Sequence, residues 1–333
     1  MIYDLVIAYR IYPGVSKNPP VCKHSKFELA KFCIDSLSRS LSEINYKVYA
    51  LMDNCPPEFD ELFTNAFGAE RVEFVRYNGI GNFPTFAEQI RILTTQTESE
   101  YVYFAEDDYF YLDGQFHLML DCIKSQPQVD FVTPYEYPNL HTLEYHKRNY
   151  HEFEYGGKLW KKVNATCLTF LTTKTRLKSE KFCFKTYSKW SGDTSLWAGI
   201  TLGWHYFGLL KDFFKLSKAE KRVVIQMSIF FVPRFILNKK RNLYMVTPSI
   251  STHLETGLLG SGIDWNKEFN CYLKPPTQIC ETVDNILPNK IPALQKIKNI
   301  IGACNFIKYP IALIPLAWII SLLLLLAKFL ICF

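Results

Sequence analysis

The chain has 333 residues, 48% of them hydrophobic and 16% aromatic, with a net charge of +6. That apolar content excludes general disorder, and the length suits one large domain or two. The positive charge gathers at 211–241 and 289–308 beside apolar stretches, and no nucleic-acid module accompanies it. The expected partner is therefore an anionic membrane surface and not nucleic acid.

Residues 4–9 form a short apolar run expected as a buried strand, and the start of the chain lacks the basic-then-apolar layout of a signal peptide. A helical period follows over 26–41, then a strand at 46–52 and the turn sequence Asp53-Asn-Cys-Pro-Pro. A helix over 58–67, a strand at 72–76, a helix over 84–95 and a strand at 101–105 complete the first third. Strands alternating with helices at this spacing predict a parallel, doubly wound α/β sheet, whose ligands sit at the carboxyl ends of the strands. Asp53 and the triplet Glu106, Asp107 and Asp108 stand at such ends. Three adjoining carboxylates repel one another unless a cation neutralises them, and oxygen-rich clusters suit Mg²⁺ or Mn²⁺. The competing reading is a solvated turn after a core strand.

Further along, strands are expected at 131–133 and 167–172 and a helix at 194–204, whereas 135–162 has no clear period. Trp190, Trp197 and Trp204 are spaced seven apart, which on a helix reads as core packing. Residues 209–243 carry a Phe- and Ile-rich face bounded by Lys and Arg. Helices lying in a membrane interface and a buried amphipathic pair both fit that profile. Gly257, Gly260 and Gly262 make 254–264 an expected flexible lid. The ten cysteines form no CxxC pair and no zinc-ligand spacing, which predicts reduced thiols in a cytosolic compartment. Residues 309–327 run without a charge for long enough to cross a hydrocarbon core, and Lys296, Lys298 and Lys308 precede them. A C-terminal membrane helix is the expectation, spanning or embedded in one leaflet, with the preceding domain on the cytoplasmic side. The chain then divides into two halves of one catalytic domain (1–130 and 131–275), a basic linker (276–308) and the anchor (309–333).

The stretch 72–111, VEFVRYNGIGNFPTFAEQIRILTTQTESEYVYFAEDDYFY, resembles family-two glycosyltransferases of GT-A fold. In that family a strand and an Asn-Gly turn lead into a helix, and the next strand ends in the acidic DxD motif. The resemblance implies a Rossmann-like mixed sheet flanked by helices, a nucleotide-diphosphate sugar donor, and Mn²⁺ or Mg²⁺ as cofactor. It places Tyr9, Asp53, Asp107 and Asp108 at the nucleotide sugar, Asp108 and His253 at the metal, and Asp193 as the catalytic base. Asp53 has a turn former as its other reading, and Asp193 a helix cap. The chain departs from the family at Phe83-Pro-Thr-Phe-Ala-Glu, where a basic contact to the diphosphate is usual, and in carrying Glu-Asp-Asp for Asp-x-Asp. The implied activity is metal-dependent, inverting sugar transfer to a hydroxyl of a saccharide or of a lipid-linked acceptor at the membrane. The alternative is a catalytically inactive, membrane-anchored binding or scaffold protein that keeps the fold. A sugar nucleotidyltransferase would want a Gly-rich phosphate loop where Arg10-Ile-Tyr-Pro-Gly stands.

Overall fold

Alternation along the first strand, β1 (Leu5–Ile11), separates two apolar layers in the computed structural model, which describes residues 2–15, 18–141, 143–147, 150–189 and 191–273. Leu5, Ile7, Tyr9 and Ile11 enter one layer, and Val6 and Ala8 the other. Strands β2 (Tyr46–Asp53), β3 (Val72–Tyr77) and β4 (Tyr101–Glu106) join β1 in the parallel order β3-β2-β1-β4. Helices α1 (Lys26–Ser40) and α2 (Phe59–Phe67) pack into the first layer and α3 (Asn82–Thr95) into the second. This half follows the expected alternation of strand and helix.

The other half does not. After β4 the chain turns tightly into β5 (Tyr109–Tyr111) instead of crossing over through a helix, and α4 (His117–Ser125) follows. Strands β6 (Phe131–Thr133), β7 (Glu152–Tyr155), β8 (Lys158–Val163), β9 (Phe170–Thr173) and β10 (Leu243–Thr247) extend the sheet beyond β4 in the order β9-β6-β10-β8-β7. β9 is antiparallel to both β4 and β6, so the sheet is mixed, as expected for the whole domain, while the strands of the first third are parallel. The β7–β8 hairpin lies in the stretch without a clear period. Its signal is Gly156-Gly157, a two-residue turn with φ of 59° and 68° that the right-handed twist of a hairpin favours. A separate pair, β5 with β11 (Ser251–His253), is antiparallel and sets His253 opposite Tyr109.

Helices α5 (Lys174–Lys185), α6 (Asp193–Thr201), α7 (His205–Lys211), α8 (Lys218–Phe230) and α9 (Val232–Ile236) cover the second layer. A third cluster joins α10 (Trp265–Leu273) to Leu29 and Phe32 of α1. Helix α6 stops at Thr201, short of the expected 204, because Gly203 adopts φ 53° and reverses the chain. Trp197 accordingly packs in the core, whereas Trp204 falls past the helix and is exposed; Trp190 lies outside the described residues. Within 209–243 one side of α8 and α9 is buried against the second layer and the other is open. Among the described residues no helix is long and apolar enough to cross a membrane. The expected linker at 276–308 and anchor at 309–333 lie outside those residues.

Two buried charges give the fold measurable signatures. Glu180 of α5 is fully buried and accepts from Arg234 Nη1 at 2.6 Å and Arg241 Nε at 2.7 Å. Glu180→Ala strands two guanidinium groups and is expected to cost about 3–5 kcal/mol, read as a lower urea midpoint. Burial and the nearby Lys240 push the Lys162 ammonium down to about 8. Between that value and its unfolded value near 10 the unfolded chain holds the extra proton, so this group makes stability rise with pH. Lys162→Met should abolish that rise and stabilise the protein at neutral pH by at most about 3 kcal/mol. Paired urea titrations at pH 7 and 10 test it.

Candidate active site

The carboxyl ends of β1, β2 and β4 open into a cavity of about 500 Å³. Its walls carry Asp53, Glu106, Asp107, Asp108 and Asp193 against Arg10 and His253. Such an excess of carboxylate repels an anion unless the existing pairs and a bound cation offset it.

The three consecutive acids separate. Glu106 pairs with Arg10 and accepts from Thr169 Oγ1 at 2.9 Å. Asp107 lies 2.5 Å from Lys26 Nζ and accepts from the Tyr12 N–H at 3.3 Å. Asp108 Oδ2 meets His253 Nε2 at 3.0 Å, while its Oδ1 is buried with no hydrogen-bond partner. Burial alone would raise the Asp108 carboxyl, but His253 first, then Lys26 and Arg10, hold it down to about 2. The carboxylate is therefore ionised at neutral pH, and His253 Nε2–H donates to it. Burial would push the Lys26 ammonium down, yet Asp107 and Asp108 push it up and keep it charged. Asp108 Oδ1 is the triplet's one fully buried oxygen without a hydrogen-bond partner among the described residues, whereas both contacts of Asp107 fall on its Oδ2. Asp107, placed by resemblance at the nucleotide sugar, lines the cavity but is held from behind by Lys26.

His253 arrives through the β5–β11 pairing, and the Leu254 N–H donates to Asp108 O at 2.7 Å. Its Nδ1 stands 3.7 Å from Glu255 Oε2, beyond hydrogen-bond distance. Among the described residues no group of three or more His, Cys, Asp and Glu is arranged to hold a metal ion. Asp108 nevertheless fits a divalent ion that takes its remaining ligands from phosphate and water, the orphaned Oδ1 being the atom such an ion would satisfy, and His253 would join it by giving up the Nε2 proton now shared with Asp108. In the segment 254–264, expected as a lid, Thr256 N–H donates to Asn18 O, Gly260 N–H to Thr252 Oγ1, and Trp265 Nε1–H to Gly260 O.

Asp193 opens α6 and lines the same cavity. The N-cap is Gly192, so the cap reading of Asp193 fails, although its Oδ1 accepts from the Thr194 N–H at 2.7 Å. Trp197, one turn on, fixes the helix by donating Nε1–H to Cys167 O at 3.0 Å. Asp53 uses both oxygens on backbone, accepting from Ile80 N–H and Gly81 N–H at 2.8 Å each. It thus organises the loop into α3, where Gly81 has φ 85°. Asp53 also lines the cavity.

Tyr9 is corrected. Period-two alternation turns it into the core against Phe63, away from the cavity. Tyr12 occupies the rim instead, with Lys26 Nζ 4.9 Å from its ring centroid. Sequence reasoning also missed Arg10, Lys26 and Tyr187. Arg10 carries its own signal, a cation inside an otherwise apolar, buried strand. Its guanidinium reaches Asn82 O at 3.1 Å, and Asn82 Nδ2–H donates to the Tyr187 hydroxyl at 3.3 Å, joining β1 to the start of α3.

No protein-family model matches the chain, and no curated protein does. Solved structures to which the chain is similar include galactosyltransferase LgtC in complex with donor and acceptor sugar analogues, 9% identical over 83% of this chain and 98% of that one, with a TM-score of 0.41. S. aureus TarS 1–349 is 10% identical over 72% of this chain and 59% of its own, with a TM-score of 0.35. A cytidylyltransferase from Leptospira borgpetersenii is 13% identical, with a TM-score of 0.30, and the overlap covers 54% of this chain and 64% of the cytidylyltransferase.

Asp53→Asn replaces one acceptor by an amide that faces an N–H. We expect a loss of about 1–3 kcal/mol. Amide exchange at Ile80 and Gly81 should quicken while that of β1 stays unchanged.

Proposed function

We propose that the chain is a GT-A-like glycosyltransferase that moves a sugar from a nucleotide-diphosphate donor to an acceptor hydroxyl. The observation that carries this reading is the meeting of Asp108, His253 and Asp193 in one cavity at the carboxyl ends of parallel strands. The ionised Asp108 with its orphaned oxygen supports a metal site there, and the half-buried Asp193 supports a base facing it.

Mn²⁺ or Mg²⁺ held by Asp108 and His253 would supply positive charge beside the diphosphate as that group gains electrons. Lys26 and Arg10 hold Asp107 and Glu106, which limits their repulsion of the donor. The Tyr12 ring, at the rim near the end of β2, offers a face for the nucleobase. Asp193 takes the proton from the acceptor hydroxyl while the acceptor's oxygen bonds to the anomeric carbon. The carbon–phosphate-oxygen bond breaks in the same displacement and the diphosphate leaves with the electron pair. One displacement inverts the anomeric configuration. The acceptor class we favour is a saccharide or lipid-linked saccharide at the cytoplasmic face of a membrane, with 309–327 as the anchor; the supporting observation is that uncharged run in the sequence.

Incubation with nucleotide sugars and Mn²⁺ or Mg²⁺ should release nucleoside diphosphate in a metal-dependent way. Asp193→Asn is expected to keep donor affinity and lose about 10²–10⁴-fold in transfer rate. Asp108→Asn should lose the metal response. Donor binding without turnover under any metal would favour the inactive scaffold, and lost donor affinity with normal turnover in Asp193→Asn would remove the base assignment.

A further inference from the structure

Helices α8 and α9 present two apolar sides. Val224, Met227, Phe231 and Phe235 face the second core layer. Ile225 and Ile229, one turn apart on α8, are exposed, and so are Ile236 and Leu237 at the end of α9, Leu237 by 75%. Trp204 is 61% exposed beside them. Its indole N–H donates to Ile236 O at 3.3 Å and its backbone N–H to Asn238 Oδ1 at 3.1 Å, which holds the residue against α9 at the surface. An indole at the edge of an aliphatic surface suits the boundary between water and hydrocarbon.

The charge around this surface is one-sided. Residues 204–241 contain nine Lys and Arg but only Asp212 and Glu220 as acids. Arg234 and Arg241 are engaged by Glu180, and Glu220 closes a capping box with Ser217. Lys218 and Arg222 are exposed and precede Ile225 and Ile229 along one face of α8, and Lys239 is exposed just past Leu237. A second copy of the chain would set these cations against themselves. A bilayer with anionic headgroups meets the aliphatic and the cationic groups together.

We propose that α8 and α9, with Trp204, dock on an anionic lipid bilayer. Trp204, Ile225, Ile229, Ile236 and Leu237 enter the headgroup boundary, and Lys218, Arg222 and Lys239 contact phosphates. This contact is distinct from the run at 309–327 and does not depend on the chemistry proposed above.

Hydrogen exchange of the full chain, followed peptide by peptide, tests the proposal. The chain is mixed with vesicles of phosphatidylcholine alone, or with about a third phosphatidylglycerol. The expected result is exchange at 218–237 slowed about tenfold on anionic vesicles only, weakening with salt. The variant Ile225→Ser/Ile229→Ser/Leu237→Ser should lose this protection while exchange of the central sheet without vesicles stays that of the parent; Leu237 is 75% exposed and Ile225 and Ile229 46% and 43%, so only a modest fall in the urea midpoint is expected. Equal protection on neutral vesicles would overturn the proposal, as would protection that grows with protein concentration in the absence of vesicles. Vesicle binding without any change at 218–237 would overturn it too and assign attachment to 309–327. The readout needs no turnover, so its failure leaves the catalytic reading standing.

Discussion

Largely withdrawing three consecutive carboxylates from water at the end of one strand is the constraint that organises this molecule. An uncompensated buried charge costs several kcal/mol, so each acid must meet its own cation or donor. Successive side chains at the turn from β4 into β5 point in different directions, and each direction recruits a different element. Glu106 draws Arg10 from β1 and Thr169 from the segment before β9. Asp107 draws Lys26 from the first turn of α1. Asp108 draws His253 from β11. The cavity is thus tied from three sides by electrostatics before any ligand enters.

A second set of ties fixes the backbone around those charges. Asp53 reaches across to the amides of Ile80 and Gly81, and Arg10 continues to Asn82, so the start of α3 is clamped between β1 and β2. On the far wall, Trp197 and its bond to Cys167 hold α6 with Asp193 at its mouth. Preorganised groups of this kind raise the effect of each charge, because little reorganisation remains when a reactant binds. The tethering of 254–264 belongs to the same pattern: the loop that carries His253 out of the cavity is bonded at several points.

The helical layer over the second half of the sheet has a different logic. Glu180 holds α9 and the approach to β10 through two arginines, which lets α8 and α9 keep a fixed orientation while much of their outer side remains aliphatic. A surface of that composition is unfavourable in water and is the kind that marks an interaction site.

The sequence by itself determined the features whose cause is local. Strand and helix alternate over the first third because apolar period and turn residues set each element separately, and the acidic triplet stands at a strand end for the same reason. Asp193 could be read as opening a helix, since Ser-Gly-Asp precedes an apolar period. Even the unforeseen β7–β8 hairpin left a local mark in Gly156-Gly157. Tertiary structure alone decided the partners. His253 and Asp108 are 145 residues apart and meet only because β11 pairs with β5. The separation of Glu106, Asp107 and Asp108 onto three partners, the use of Asp53 by amides well downstream, and the exchange of Tyr9 for Tyr12 at the cavity all depend on long-range packing. A single chain records each residue's chemistry and its neighbours in sequence, whereas the compensation of a buried charge is settled by whichever distant element the sheet brings beside it.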